Sequence, residues 1–221
     1  MTYPSAANSS PDEQPLITEE LRTWATEHYR ARTFFREETI PTRPGLLYFV
    51  SEGYVRLEST LKQAPAGATI ELVNTVIDFV GANQAIDVFD SDHLSFEAIA
   101  QTDRTTIFWV YWADLERWQD LKSQVLEHLQ AQSHKQIMLR TILGQKRTVD
   151  QLRLYFEFLA LLYGEPKETG LKIPFGLTHD NLASVLGTTR VTISRLLNQL
   201  KEEGQVLFFD DQYFGVPKNQ V

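Results

Sequence analysis

The sequence predicts an α+β fold: an N-terminal antiparallel β-roll of the jelly-roll kind, a long helix, and a C-terminal winged helix-turn-helix. Three observations predict it. Residues 33 to 111 are a series of short β-rich runs broken by turn signals, the residues after Trp112 switch to a helical apolar period, and Leu177 to Leu200 carries two helix starts around one glycine. On this reading residues 1-15 are a disordered tail, 16-115 the roll, 116-145 a dimerisation helix and 146-221 the C-terminal domain.

The first fifteen residues are polar, Pro/Ser-rich and short of large apolar side chains, so they offer nothing to a core. Leu16 to Arg30 predicts one amphipathic helix through Leu16, Leu21, Trp24 and Ala25. Strands are expected at Leu46 to Val50, Tyr54 to Leu61, Thr69 to Val73, Phe96 to Ala100 and Thr105 to Tyr111. Between them lie turn-forming stretches such as Pro41-Thr42-Arg43-Pro44-Gly45, Ser51-Glu52-Gly53 and Gln101-Thr102-Asp103. Several short strands at such spacing suit an antiparallel roll or barrel.

After Trp112 the pattern is helical as far as Gly144. At 100° per residue, Trp118, Leu121, Val125, Leu129, Gln132, Gln136, Arg140 and Leu143 fall on one seam, apolar first and polar later. Such a stripe either packs on its own domain or zips against a second copy. A further helix starting at Thr148 or Asp150, rich in Leu152, Leu154, Phe156, Phe158, Leu159 and Leu162, ends before Gly164 and is core. Lys167 to Phe175 reads as a connector.

In the segment LTHDNLASVLGTTRVTISRLLNQL, Thr178 with Asp180 close behind caps a first helix ending near Leu186. Gly187 supplies the turn, and Thr188 or Thr189 caps a second helix running to about Lys201. Ala183, Gly187, Ile193 and Leu196 set a tight crossing. The stripe Ile193, Leu196, Leu197, Leu200 faces inward and leaves Arg190, Val191, Ser194 and Arg195 on the exposed N-terminal side, the layout of a helix that enters the major groove of double-stranded DNA. Two short amphipathic helices around a glycine also occur in ordinary packing. The arginines separate the cases, because a guanidinium pairs bidentately with guanine O6 and N7 or holds a phosphate. Thr178, Thr189 and Thr192 carry hydroxyls suited to phosphates, or serve as caps alone. Gln205 to Val216, bending at Asp210-Asp211, reads as a hairpin wing. Because reading half-sites calls for a two-fold partner, the long helix is expected to make a homodimer through Trp118, Leu121, Val125, Leu129, Gln132, Gln136 and Leu143.

Composition bounds the rest. The 221 residues are 43% hydrophobic, enough for real cores, and hold no apolar run that would cross a membrane and no signal-peptide pattern, so the cytoplasm is expected. Without cysteine there is no disulfide, thiolate-held zinc or cysteine-ligated iron–sulfur cluster. The net charge of −8 is unevenly spread: residues 1 to 139 hold 11 Lys/Arg against 20 Asp/Glu, whereas residues 140 to 221 hold 10 against 9. The acid is at the end away from the helix-turn-helix, and non-specific DNA affinity is expected to be modest and strongly salt-dependent. There is no phosphate loop, no metal-spaced histidine cluster and no nucleophile-base pair. Hence no catalytic residue, metal ligand or cofactor is assigned, and the chain is not expected to be an enzyme.

A roll, a long helix, a helix-turn-helix and a wing in that order resembles the cyclic-AMP receptor/fumarate-nitrate regulator (Crp/Fnr) superfamily of bacterial transcription factors. The resemblance covers roughly Ala31 to Val216. Phe34-Phe35-Arg36-Glu37-Glu38 and the run from Leu47 to Leu57 are similar to its opening hairpins, and Phe96 to Trp118 to its last roll strand. The helix Thr189 to Leu197 is similar to that of the cyanobacterial global nitrogen regulators, which points to a cyanobacterial origin. The resemblance implies a homodimer on a pseudo-palindrome, with Arg190 and Arg195 at or beside bases, Val191 in apolar base contact, and Thr178, Thr189 and Thr192 on phosphates. A half-site like GTA with its inverse TAC is implied.

The sensor transfers less readily. Where the family's cyclic-nucleotide binders place a phosphate-binding turn and an Arg-Ser/Thr pair, this chain reads Phe79-Val80-Gly81-Ala82-Asn83 and Leu94-Ser95, so the guanidinium is missing. Arg104 follows in a turn. Ser133 and Met138 stand where helix residues of the 2-oxoglutarate site fall. Tight binding of either effector is not expected, nor is haem on His93. Two readings stand beside a degenerate-sensor regulator: a regulator gated by another small molecule, and a protein-interaction adaptor that keeps the fold. The acidic roll suits a protein partner such as RNA polymerase or a co-regulator.

Overall fold

The computed structural model describes residues 16–28, 30–62, 73–88, 91–210 and 212–218. They divide into two compact units, 16–132 and 133–218, and the division falls inside one helix. The expected tail lies outside the described residues.

In the first unit, α1 (Glu19–Glu27) is shorter than expected. Thr18 accepts the Leu21 N–H as its cap, and Leu16 and Ile17 precede it as buried chain. The roll follows as β1 (Ala31–Phe34), β2 (Thr39–Ile40), β3 (Leu46–Glu52), β4 (Tyr54–Leu61), β5 (Thr75–Gly81), β6 (Gln84–Asp87), β7 (Leu94–Ala100) and β8 (Thr105–Tyr111). Four expected strands are present, with β3 and β7 each two residues longer. The fifth, Thr69 to Val73, falls almost wholly outside the described residues, and its last member, Val73, precedes β5 without joining it. Strands β1, β2, β5 and β6 escaped the sequence pattern. Two of them are only four residues long and one only two, too short for alternation to register.

All pairings are antiparallel, in two four-stranded sheets ordered β1-β8-β3-β6 and β2-β7-β4-β5. Between them lies a core of Phe34, Tyr48, Val50, Val55, Leu57, Val80, Ile86 and their neighbours. The other face of the first sheet, through Leu47, Phe49, Phe108 and Val110, packs against helical segments in a second core. Leu46-Leu47-Tyr48-Phe49-Val50 is therefore apolar throughout because both its faces are covered. Gly53 turns β3 into β4 at φ +80°, where a Cβ would lie 2.3 Å from the Arg104 carbonyl oxygen. Arg56 on β4 is buried and still fully engaged: it pairs with Glu37 at 2.8 Å and Glu58 at 2.6 Å and donates to Gln101 Oε1 at 2.5 Å. Burial opposes its charge, but the two carboxylates outweigh that and raise its pKa.

The long helical stretch is broken. A 3-10 helix, Trp112–Arg117, ends at Trp118, and α2 runs from Gln119 to Leu143. The predicted seam turns toward the roll over most of its length. Leu121 and Val125 are buried in the second core, Trp118 and Leu129 pack on it, and Gln132 donates to the Ala85 carbonyl at 2.7 Å. The stripe that reads as a dimer contact is thus satisfied inside the protomer. The reason is that β3 and β8 offer an equally apolar sheet face.

In the second unit, α3 (Thr148–Tyr163) is core through Leu152, Phe156 and Leu159. Buried Lys135 of α2 donates to Tyr163 Oη at 2.8 Å. The expected connector Lys167 to Phe175 is partly strand. Strands β9 (Glu165–Pro166) and β10 (Gly170–Lys172) join β11 (Leu207–Phe208) and β12 (Phe214–Pro217) in a sheet ordered β11-β12-β10-β9. The wing is the β11–β12 hairpin, and β10 pairs with β12. Asp211 of its expected bend lies outside the described residues. Helices α4 (His179–Leu186) and α5 (Arg190–Glu202) complete the unit.

Candidate nucleic-acid interface

The candidate site is built on α4 and α5. Thr178 Oγ1 accepts the Asn181 N–H at 3.0 Å, and Asn181 Oδ1 accepts the Thr178 N–H at 3.0 Å, a reciprocal cap on α4. Of the two threonines that could start α5, Thr189 does so, its Oγ1 accepting the Thr192 N–H at 3.2 Å. Gly187 between the helices has φ +60°, and a Cβ there would meet nothing within 4 Å. Glycine answers here to the backbone angle and not to a close approach, which corrects its expected part in the tight crossing.

Burial of Ile193, Leu196, Leu197 and Leu200 locks one face of α5 inward, so its opposite face must point to solvent. Val191 is 80% exposed, an apolar side chain that the fold does not use. Arg190 and Arg195 are exposed on either side of it. Arg190 Nη1 donates to Asp180 Oδ2 at 3.1 Å.

The expected hydroxyls are less free. Thr178 and Thr189 are caps, and Thr189 Oγ1 lies 3.0 Å from Thr192 Oγ1. Ser194, expected on the outward face, is half-buried and turned to α4. Its Oγ donates to the Arg190 carbonyl at 3.0 Å and lies 2.8 Å from His179 Nδ1, so it accepts from a proton assigned to that nitrogen.

Beside the helix pair, a groove of about 800 Å³ reaches the wing, bordered by His179, Arg190, Asn198, Lys201, Phe209 and Gln212 among others. Lys201 Nζ stands 4.9 Å from the Phe208 ring, and Lys172 Nζ 4.5 Å from the Tyr213 ring. The sequence reading missed His179, Asn198, Lys201 and Lys172. A signal for two of them existed: Arg190, Ser194, Asn198 and Lys201 recur at helical spacing along one face. Lys172 had none, because it reaches the wing only through the β10–β12 pairing.

In the roll, the residues aligned with a phosphate-binding turn do ordinary structural work. The Gly81 N–H donates to Gln84 Oε1 at 2.9 Å, the Asn83 N–H to the Val50 carbonyl at 2.9 Å, and Asn83 Oδ1 accepts the Ile17 N–H at 2.9 Å. Ser95 Oγ bonds the Thr60 carbonyl at 3.3 Å, and Arg104 pairs with Glu52 at 3.2 Å on the surface. His93 is exposed. Among the described residues no three His, Cys, Asp or Glu are grouped to hold a metal, and no helix is long and apolar enough to cross a membrane.

Residues 153–211 match the Crp-like helix-turn-helix domain, and in the chain this domain follows the antiparallel roll and α2. Among individual proteins, the chain is 29% identical over 181 residues to the global nitrogen regulator of a Synechocystis strain, covering 79% of each chain. Solved structures share the fold at low identity. A Listeria monocytogenes protein containing a cyclic nucleotide-binding domain superposes with TM-score 0.70 at 18% identity, over 92% of this chain and 100% of the other. A CooA variant from Carboxydothermus hydrogenoformans gives TM-score 0.65 at 18% identity over 94% and 93%. A CRP-family transcriptional regulator from Thermus thermophilus gives 0.63 at 18% over 85% and 92%.

Proposed function

We propose that the protein works as a homodimer that reads a pseudo-palindromic DNA site, with α5 of each copy in successive major grooves about 34 Å apart. The observation that carries this is Val191, 80% exposed between two exposed arginines on a helix whose other face is locked into the core. Arg190 and Arg195 read bases or anchor beside them, Val191 makes an apolar base contact, and Thr178, Thr189 and Thr192 meet phosphates, the first two through hydroxyls that also cap. Ser194 supports the reading helix from behind. Lys172 and Lys201 add phosphate contacts at the wing. The protein acts in the cytoplasm by binding, not by catalysis.

The dimer contact proposed here is the outward face of α2. Leu126 is 56% exposed and Ile137 60% exposed, and with exposed Gln130 and Ser133 they recur at steps of four, three and four, the spacing of a coiled-coil seam. Of the expected seam residues, Gln136 and Leu143 lie about 90–110° round the helix from this face. Control by cyclic AMP is not part of the reading, since Leu94 stands where a guanidinium is needed and Arg104 is held by Glu52. The effector, if the dimer has one, is another small molecule or a protein partner.

Selection from random duplexes at low salt tests the reading. Enrichment of an inverted repeat, lost in Arg190→Ala, is expected. A selection that returns no two-fold motif sinks it.

A further inference from the structure

Arg190 is held at both ends by consecutive residues of α4. Its carbonyl oxygen accepts from Ser194 Oγ, which in turn meets His179 Nδ1. Its guanidinium donates through Nη1 to Asp180 Oδ2 at 3.1 Å. Asp180 sits in the first turn of α4, just behind the Thr178–Asn181 box, where a carboxylate is favoured by the free N–H groups of the helix end. Both members of the ion pair are well exposed, 69% and 64%, so the contact adds little to folding stability.

Its position gives it another consequence. A carboxylate on a surface that meets phosphates weakens attraction to every duplex alike, because the non-specific part of DNA affinity comes from neutralising phosphate charge. The same carboxylate restricts a long side chain that would otherwise sample many rotamers. With Nη1 engaged, Nε and Nη2 of Arg190 have no partner among the described residues. Those two nitrogens present the parallel donors that match guanine O6 and N7.

We propose that Asp180 is a specificity-determining positioning residue. It holds Arg190 by Nη1 so that the Nε–Nη2 edge is the one left to read a guanine, and it lowers affinity for DNA of any other sequence. The inference rests on the DNA-reading role proposed above.

The test uses the full-length protein at one fixed salt concentration, with Asp180→Ala, Asp180→Asn and Arg190→Ala beside the unaltered chain. The guanine read by Arg190 is the position whose preference disappears in Arg190→Ala. Each protein is titrated with the selected site, the site changed at that guanine, and a random duplex. Asp180→Ala is expected to bind the random duplex several-fold more tightly while its discrimination at that guanine falls by about tenfold. Asp180→Asn, which keeps an acceptor oxygen without the charge, is expected to match it on random duplex and to retain most of the discrimination. Unchanged discrimination in Asp180→Ala overturns the proposal, as does a loss spread equally over all positions of the site. An unaltered protein that selects no site overturns the DNA-reading role and this inference with it, a result distinct from either.

Discussion

The side-chain amide of Gln132 donates to the carbonyl of Ala85 at 2.7 Å. Ala85 lies on β6, the edge of the first sheet, and its N–H is taken by His128 Nε2 at 3.1 Å. One turn of α2 thus supplies both hydrogen bonds that a neighbouring strand would have made to Ala85, covering the edge at that residue. Gln132→Ala leaves the Ala85 carbonyl unpaired and is expected to lower stability by about 1–2 kcal/mol in chemical denaturation. It is not expected to change oligomeric state. Loss of the dimer with full stability would show that Gln132 faces a partner and not the roll.

The two faces of α2 separate in the same way. Leu126→Glu or Ile137→Glu places a charge on the exposed face and is expected to give a folded monomer by light scattering. Leu121→Ala, on the buried face, is expected to cost roughly 2–5 kcal/mol with dimerisation retained in the folded fraction. A dimer that survives both glutamates would move the interface elsewhere.

Acid stability of the roll depends on Glu37. Its hydrogen bonds to Arg56 lower its pKa, outweighing the opposing effect of burial. Since the folded value lies below the unfolded one, the unfolded chain binds the proton first as pH falls. The stabilisation is therefore present above the ordinary glutamate range and is lost as pH drops through the lowered folded value. Glu37→Gln is expected to flatten this limb of the stability–pH curve, measured by urea midpoints between neutral and acidic pH. An unaltered slope in that variant would remove Glu37 from the account.

At the turn of the helix pair, Gly187→Ala should cost about 1–2 kcal/mol, because alanine at φ +60° strains its Cβ against its own backbone although nothing else is near. Gly187→Asn should cost less, since asparagine tolerates that region. Equal midpoints for the alanine variant and the parent in thermal denaturation would contradict the assignment.

Val191→Ala offers the complementary contrast. At 80% exposure the side chain contributes almost nothing to the core, so stability should stay within about 0.5 kcal/mol. Affinity for the selected site is expected to fall while affinity for random duplex is kept, measured by fluorescence anisotropy. A loss of stability instead would make Val191 a packing residue.

Much of the helix-turn-helix is legible in the chain alone. Thr178, Gly187, Thr189 and the stripe from Ile193 to Leu200 act within a few residues of their own positions, and local chemistry decides caps, turns and helical faces. The same holds for β4 and β8, whose bounds match their sequence patterns. Tertiary structure alone decided three things, each because a side chain can satisfy the same need in more than one place. The apolar stripe of α2 could lie on a second copy or on its own sheet, and the face formed by Leu47, Phe49 and Phe108 took it. Ser194 could face outward beside Val191 or toward a neighbouring helix, and His179 stood 2.8 Å away. Asp180 and Arg190 are ten residues apart in sequence, and only the crossing of α4 and α5 turns an acid in the first turn of one helix and an exposed cation at the start of the next into an ion pair.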